Sequence, residues 1–198
     1  MRTLIVAMKM TIVLTVLTGL IYPIVMVGVS RVVFPAQAQG SLIVRDGKVV
    51  GSSLIGQNFS KPGYFHSRPS AAGDKGYDAS ASGASNLGPT NKALIEAVKS
   101  RLKGVLEENP GVSPAQVPID LVTTSGSGLD PEISLAAAQL QVPRVAKARG
   151  LGEEQVQKLV EQSTRDRYLG ILGEPGVNVV ALNLALDGAA PVASQARK

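Results

Sequence analysis

Residues 9–31 read KMTIVLTVLTGLIYPIVMVGVSR, and everything between Lys9 and Arg31 is uncharged. Residues 10–30 would extend about 31 Å as a helix at 1.5 Å per residue. That length matches a hydrocarbon core of roughly 30 Å, so the stretch predicts a transmembrane helix. Leu4, Ile5 and Val6 lengthen the apolar run backwards. Pro23 predicts a kink and places Tyr22 too deep for an interfacial belt residue. Ala36-Gln37-Ala38 has the form of a signal-peptidase site, but a signal core runs roughly 7–15 residues. An uncleaved anchor is therefore the reading. The basic residues flanking the span nearly balance, and they mildly favour an exported C-terminal part. Thr11, Thr15 and Gly19 form a small-residue row, with Thr18 beside it. Such rows let a second helix approach closely in lipid.

The organisation follows from this span. It comprises a short tail over 1–9, the membrane helix over 10–33, a soluble domain over 34–187 and a flexible C-terminal tail over 188–198. The chain has 198 residues with 20 Lys and Arg, 15 Asp and Glu, one His and no Cys or Trp. Absence of Cys excludes disulfides and thiolate chemistry, and one His excludes a His-rich metal site. Three of the basic residues, Arg2, Lys9 and Arg31, border the span. The remainder is close to neutral, which argues against nucleic acid as a partner.

In the soluble part, Asp46-Gly47 between two apolar runs predicts a hairpin over 42–50, with a strand continuing over 51–59. Residues 60–89 are rich in Gly, Ser and Ala but hold Tyr64, Phe65, Tyr77 and Leu87, so an ordered loop is expected. Helical spacing predicts helices over 91–108, 133–149 and 153–164, with Thr90 or Asn91 capping the first and Gly150 ending the second. Short strands are expected over 119–123 and 177–186. This order predicts an α+β domain behind a single N-terminal transmembrane helix.

Several chemistries fail on the residues. The glycine spacing over 51–56 imitates a P-loop, yet Gln57-Asn58 stands where Lys and Ser or Thr are needed. No G-x-S-x-G elbow accompanies His66. The helices around Gly150 imitate a DNA-binding pair, but Glu153 and Glu154 open the second one and would repel phosphates. The turn Ser125-Gly126-Ser127-Gly128-Leu129-Asp130 leaves two readings. Its N–H groups can cradle an anion, with Gln141 and Arg144 adding donors. Alternatively it is a tight turn after which Asp130 or Ser134 caps the next helix.

Together, Asn58-Phe59, FHSRPS over 65–70, SNLGPTN over 85–91, VTTSGSGLDP over 122–131, QVPRVA over 141–146 and LGEPGVNV over 172–179 resemble one family. In this order behind one membrane helix, they look like the C subunit of Kdp-type potassium-transporting P-type ATPases. The resemblance covers residues 5–187. It implies an accessory, non-catalytic subunit of a high-affinity potassium uptake complex in the bacterial inner membrane. Its partners would be a potassium-translocating subunit and a P-type ATPase subunit. It further implies an extracytoplasmic soluble domain and a catalytic-chaperone role that raises ATP affinity. ATP would then be shared with the ATPase subunit, with no tightly bound cofactor and no metal. One span cannot enclose a pore, and neither a Thr-Val-Gly-Tyr-Gly filter nor an Asp-Lys-Thr-Gly-Thr phosphorylation segment is present. The rival is a membrane-anchored or secreted extracytoplasmic binding module unrelated to transport.

Overall fold

The computed structural model describes residues 1–189, which form two compact units, 1–52 and 53 onward. In the first, α1 (Arg2–Val16) passes through a π-helical turn (Leu17–Ile21) into α2 (Tyr22–Val33). The helix thus begins earlier than the uncharged span and encloses it. Pro23 stands at the start of α2, directly after that turn. It has no N–H and its ring crowds the preceding turn, and the widened π turn immediately before it accommodates that clash. Among the described residues, none in this 32-residue helix is buried.

A single turn, α3 (Pro35–Ala38), leads to β1 (Leu42–Arg45) and β2 (Lys48–Ser52). They pair antiparallel with Arg45 opposite Lys48. Asp46 and Gly47 both take positive φ, 50° and 74°, as a two-residue hairpin turn requires. The pairing ends at Ser52, so the strand expected over 51–59 stops there. Beyond it the Gly56 N–H donates to Leu129 O at 2.9 Å, a loop contact rather than a ladder.

In the second unit, residues 53–91 form an ordered loop without helix or strand, as composition suggested. Phe65 and Ala72 on it are fully buried. Asn91 caps α4 (Lys92–Glu108) by accepting from the Ala93 N–H. The strand expected over 119–123 is instead a 3-10 turn, Ile119–Leu121. Pro118 opens it, and the Thr123 hydroxyl donates back to Ile119 O, closing the chain locally instead of along a ladder. Next come β3 (Glu132–Ile133), α5 (Leu135–Arg149), α6 (Glu153–Gln162), β4 (Thr164–Arg165), β5 (Gly176–Asn178) and α7 (Val179–Ala189). Ser134 caps α5, and Gly150 ends it at φ 67° in the left-handed region.

The strand expected over 177–186 holds only at its start. β5 pairs with β3 on one side and β4 on the other, both antiparallel, and α7 follows at once. The alternating leucines suggested a strand, but Val179, Leu182 and Leu186 also repeat at helical spacing and are buried. Asn178 starts the helix by accepting from the Ala181 N–H at 2.9 Å. Gly188 and Ala189 complete α7, and the rest of the expected tail, 190–198, lies outside the described residues. The core joins Ala138, Val142 and Val145 of α5, Val156 and Val160 of α6, Val177 of β5, Leu182 and Leu186 of α7, and Phe65 from the loop.

Candidate functional site

Helix α5 places Gln141, Arg144 and Arg149 along the loop segment 62–66. Gln141 is 2% exposed. Its amide accepts from the His66 N–H at 2.7 Å and donates to His66 O at 3.2 Å and Ala137 O at 3.2 Å. Arg144 donates to Pro62 O (2.6 Å), Tyr64 O (3.0 Å) and the Gln141 carbonyl oxygen (2.6 Å). Burial lowers the Arg144 pKa, only partly offset by Glu108. Arg149 has its guanidinium over the Tyr64 ring at 4.7 Å and bonds Asp187 of α7 at 2.9 Å.

The Gly/Ser turn is built differently from a helix-start cradle, because β3 and Ser134 separate it from α5. Buried Ser125 accepts the Gly128 N–H at 2.9 Å, and the Ser127 hydroxyl accepts the Leu129 N–H at 3.1 Å. The Asp130 carboxylate accepts from the Glu132 N–H and from Arg68, both at 3.0 Å. The turn's carbonyls meet the long loop. Ser70 donates to Gly128 O at 2.6 Å, and the Gly83 N–H donates to Ser127 O at 2.9 Å. Gly126 stands in open space. The seven residues therefore form two groups, Ser125 to Asp130 and Gln141 with Arg144, joined through the segment from His66 to Ser70.

That segment borders a cleft of about 460 Å³, lined by Phe59, His66, Arg68, Tyr77, Arg101, Glu108, Asn109 and Gln141 among others. His66 Nδ1 lies 3.0 Å from Glu108 and Nε2 lies 3.3 Å from Lys61 O. Burial and the nearby Arg144 cation push the His66 pKa below 6.5, against the opposing pull of Glu108. Burial raises the Tyr77 pKa, and its hydroxyl donates to Arg68 O at 2.6 Å. Arg68 Nε and the Oδ1 of Asn109, a residue 7% exposed, have no hydrogen-bond partner.

Chemically the cleft carries mostly polar and charged side chains. The hydroxyls of Ser67 and Ser70 are both engaged with main-chain carbonyls, so neither is poised beside the imidazole as a nucleophile. Among the described residues there is no group of three or more His, Asp or Glu that could hold a metal ion. The sequence reading missed the His66–Glu108 and Arg68–Asp130 pairs, whose partners are 42 and 62 residues apart. It also missed Asn183, a polar residue inside an apolar run, which is itself the signal that could have found it.

Residues 4–188 match the family model described as KdpC, the K+-transporting ATPase c chain. The chain belongs to the KdpC family. A protein of Polaromonas naphthalenivorans is 58% identical over 186 residues, covering 94% of each chain. One of Bradyrhizobium diazoefficiens is 56% identical over 195 residues, covering 93% of this chain and 96% of its own. One of Rhodospirillum rubrum is 55% identical, covering 98% and 99%. Each is named a potassium-transporting ATPase KdpC subunit. The chain is thus a subunit of a potassium transport complex, and its long apolar helix is compatible with a membrane anchor.

Proposed function

We propose that the chain is a non-catalytic accessory subunit, held in the bacterial inner membrane by its one span, with residues 53–189 on the extracytoplasmic side. It assembles and stabilises a complex with a potassium-translocating subunit and a P-type ATPase subunit, and it raises the ATP affinity of the latter. ATP is shared with that subunit rather than held tightly here.

The observation that carries this reading is the N-terminal helix, uncharged over 10–30 and covered by nothing among the described residues. Such a surface needs lipid and neighbouring helices. The tip of the turn between β4 and β5 supports the assembly role. Tyr168, Leu169, Ile171 and Leu172 stand 56–76% exposed there, more apolar side chain than a free surface needs. For the ATP-affinity role, Ser125, Gly126, Ser127, Gly128 and Asp130, with Gln141 and Arg144, remain the proposed partner contact, and they would be a nucleotide contact only if the domain lay on the cytoplasmic side with the ATP.

The test is purification from mild detergent followed by ATPase activity against ATP concentration, for wild type, Gly126→Val and Gln141→Ala. Wild type should bring down both larger subunits. Gly126→Val should retain assembly while the apparent KM for ATP rises, and Gln141→Ala, which strands the His66 N–H and C=O, counts only in a chain of unaltered Tm. Dissociation of the variant complexes would assign the segment to docking instead. Normal assembly with normal KM in both would reject it as a contact.

A further inference from the structure

The π turn and Pro23 together leave a main-chain carbonyl, that of Thr18, without a donor at the middle of the span. The Tyr22 N–H bonds five residues back, to Leu17 O, and α2 follows from Tyr22 onward. Pro23 has no N–H. With the Tyr22 N–H on Leu17 O and no N–H at Pro23, the carbonyl of Thr18 has no main-chain donor four or five residues on. The nearby Thr18 hydroxyl is already committed to Leu14 O at 2.7 Å. Gly19 has no side chain to cover the gap, and a Cβ there would meet nothing within 4 Å. The Thr18 carbonyl lies at the level of Gly19, near the centre of the uncharged stretch over 10–30, where no bulk water is available to satisfy it.

We infer that the helix docks here against a transmembrane helix of another protein that presents a hydroxyl or amide side-chain donor at the level of Gly19. The inference rests on the subunit reading above and specifies the chemistry of the partner. Hydrocarbon cannot satisfy a carbonyl, whereas a Ser, Thr, Asn or Gln on a closely packed helix can. The absent Cβ of Gly19 is what permits that approach.

The test is recovery of the partner subunits with the full chain in mild detergent for wild type, Gly19→Leu, Gly28→Leu and Pro23→Ala. Gly19→Leu should lower recovery about tenfold, because it covers the exposed carbonyl. Gly28 is nine residues on, about two and a half turns, so it lies on a different face and Gly28→Leu should match wild type. Pro23→Ala returns a main-chain donor while leaving Gly19 in place, and it should lower recovery severalfold. Wild-type recovery with Gly19→Leu, an equal loss with Gly28→Leu, or an unchanged complex with Pro23→Ala would each overturn the inference. So would recovery of only a second copy of this chain. Failure of the wild type itself to recover partners would reject the subunit reading, and this inference with it.

Discussion

The side chain of Asn183 and the main chain of Phe65 exchange two hydrogen bonds, although 118 residues separate them. The Phe65 N–H donates to Oδ1 at 2.9 Å, and Nδ2 donates to Phe65 O at 3.0 Å. The next residue, His66, is held in the same way by Gln141. Two primary amides from two helices thus take the place of a neighbouring strand. This explains how a loop without secondary structure carries a fully buried Phe into the core. Main-chain groups taken out of water must find partners, and no strand lies beside 64–66 to supply them.

Asn183→Ala should therefore destabilise more than its volume suggests. It strands the buried N–H and C=O of Phe65, at about 1–3 kcal/mol each. Thermal unfolding of the full chain in mild detergent, followed by circular dichroism, should show Tm falling by several degrees, at roughly 2–4 °C per kcal/mol for a unit of this size. An unchanged Tm would mean that the loop finds other partners.

Arg149 should resist conservative replacement. Its guanidinium is fully buried, donates to Gly63 O, bonds Asp187 and covers the Tyr64 ring. Lys offers a point charge instead of a planar fork. Breaking such a buried pair typically costs about 3–5 kcal/mol. Arg149→Met should release segment 61–66 and expose the Tyr64–Phe65 peptide bond to chymotrypsin, while Arg149→Lys should protect it only partly. Equal protection in all three proteins would refute the clamp.

The sole imidazole gives stability a pH dependence of definite sign. Because the folded-state pKa of His66 lies below 6.5, the unfolded chain takes up its proton first as pH falls. The His66 contribution is therefore fully present above 6.5 and is lost as pH falls from there through the folded pKa. Urea unfolding across that window should show declining stability in wild type. His66→Gln should flatten the part of the slope that this residue contributes. A wild-type slope that rises on acidification would mean that Glu108, facing Nδ1, outweighs burial and Arg144.

Local signals were readable where local physics decides the structure. Asp46-Gly47 set the hairpin, Asn91 and Ser134 capped their helices, and Gly150 closed α5. The longest misreading, the strand expected over 177–186, has a specific cause. Val180, Leu182, Leu184 and Leu186 alternate as a strand would, yet Val179, Leu182 and Leu186 satisfy a helix equally well. The short run could be resolved only by noticing Asn178 as a cap. The cleft was less legible. Its ion pairs join residues far apart in sequence, so nothing in local spacing announces them. Gln141 and Arg144 were found as donors. Their engagement with the loop main chain depends on where residues 62–66 pass, which no periodicity encodes.

Two glycines of the Ser125–Asp130 turn should separate folding from contact. Gly128 has φ 68°, and a Cβ there would meet Gly83 O at 2.7 Å and both Ala72 N and Cβ at 2.8 Å. Neither the loop main chain nor fully buried Ala72 has room to yield. Gly128→Val should therefore break the seam between the turn and loop 70–83, and the chain should unfold at lower temperature before any effect on a partner can be read. Gly126, two residues earlier, has ordinary φ and open space around it, so Gly126→Val should leave Tm within about 1 °C, as surface substitutions usually do. The Gly126 variant is for that reason the informative one. A changed KM for ATP or a lost partner in a chain of unaltered Tm must come from contact at the turn, whereas the same change in the Gly128 variant reports only a damaged fold. Were Gly126→Val to lower Tm as far as Gly128→Val does, the turn would be a structural element throughout and its reading as a contact would fail.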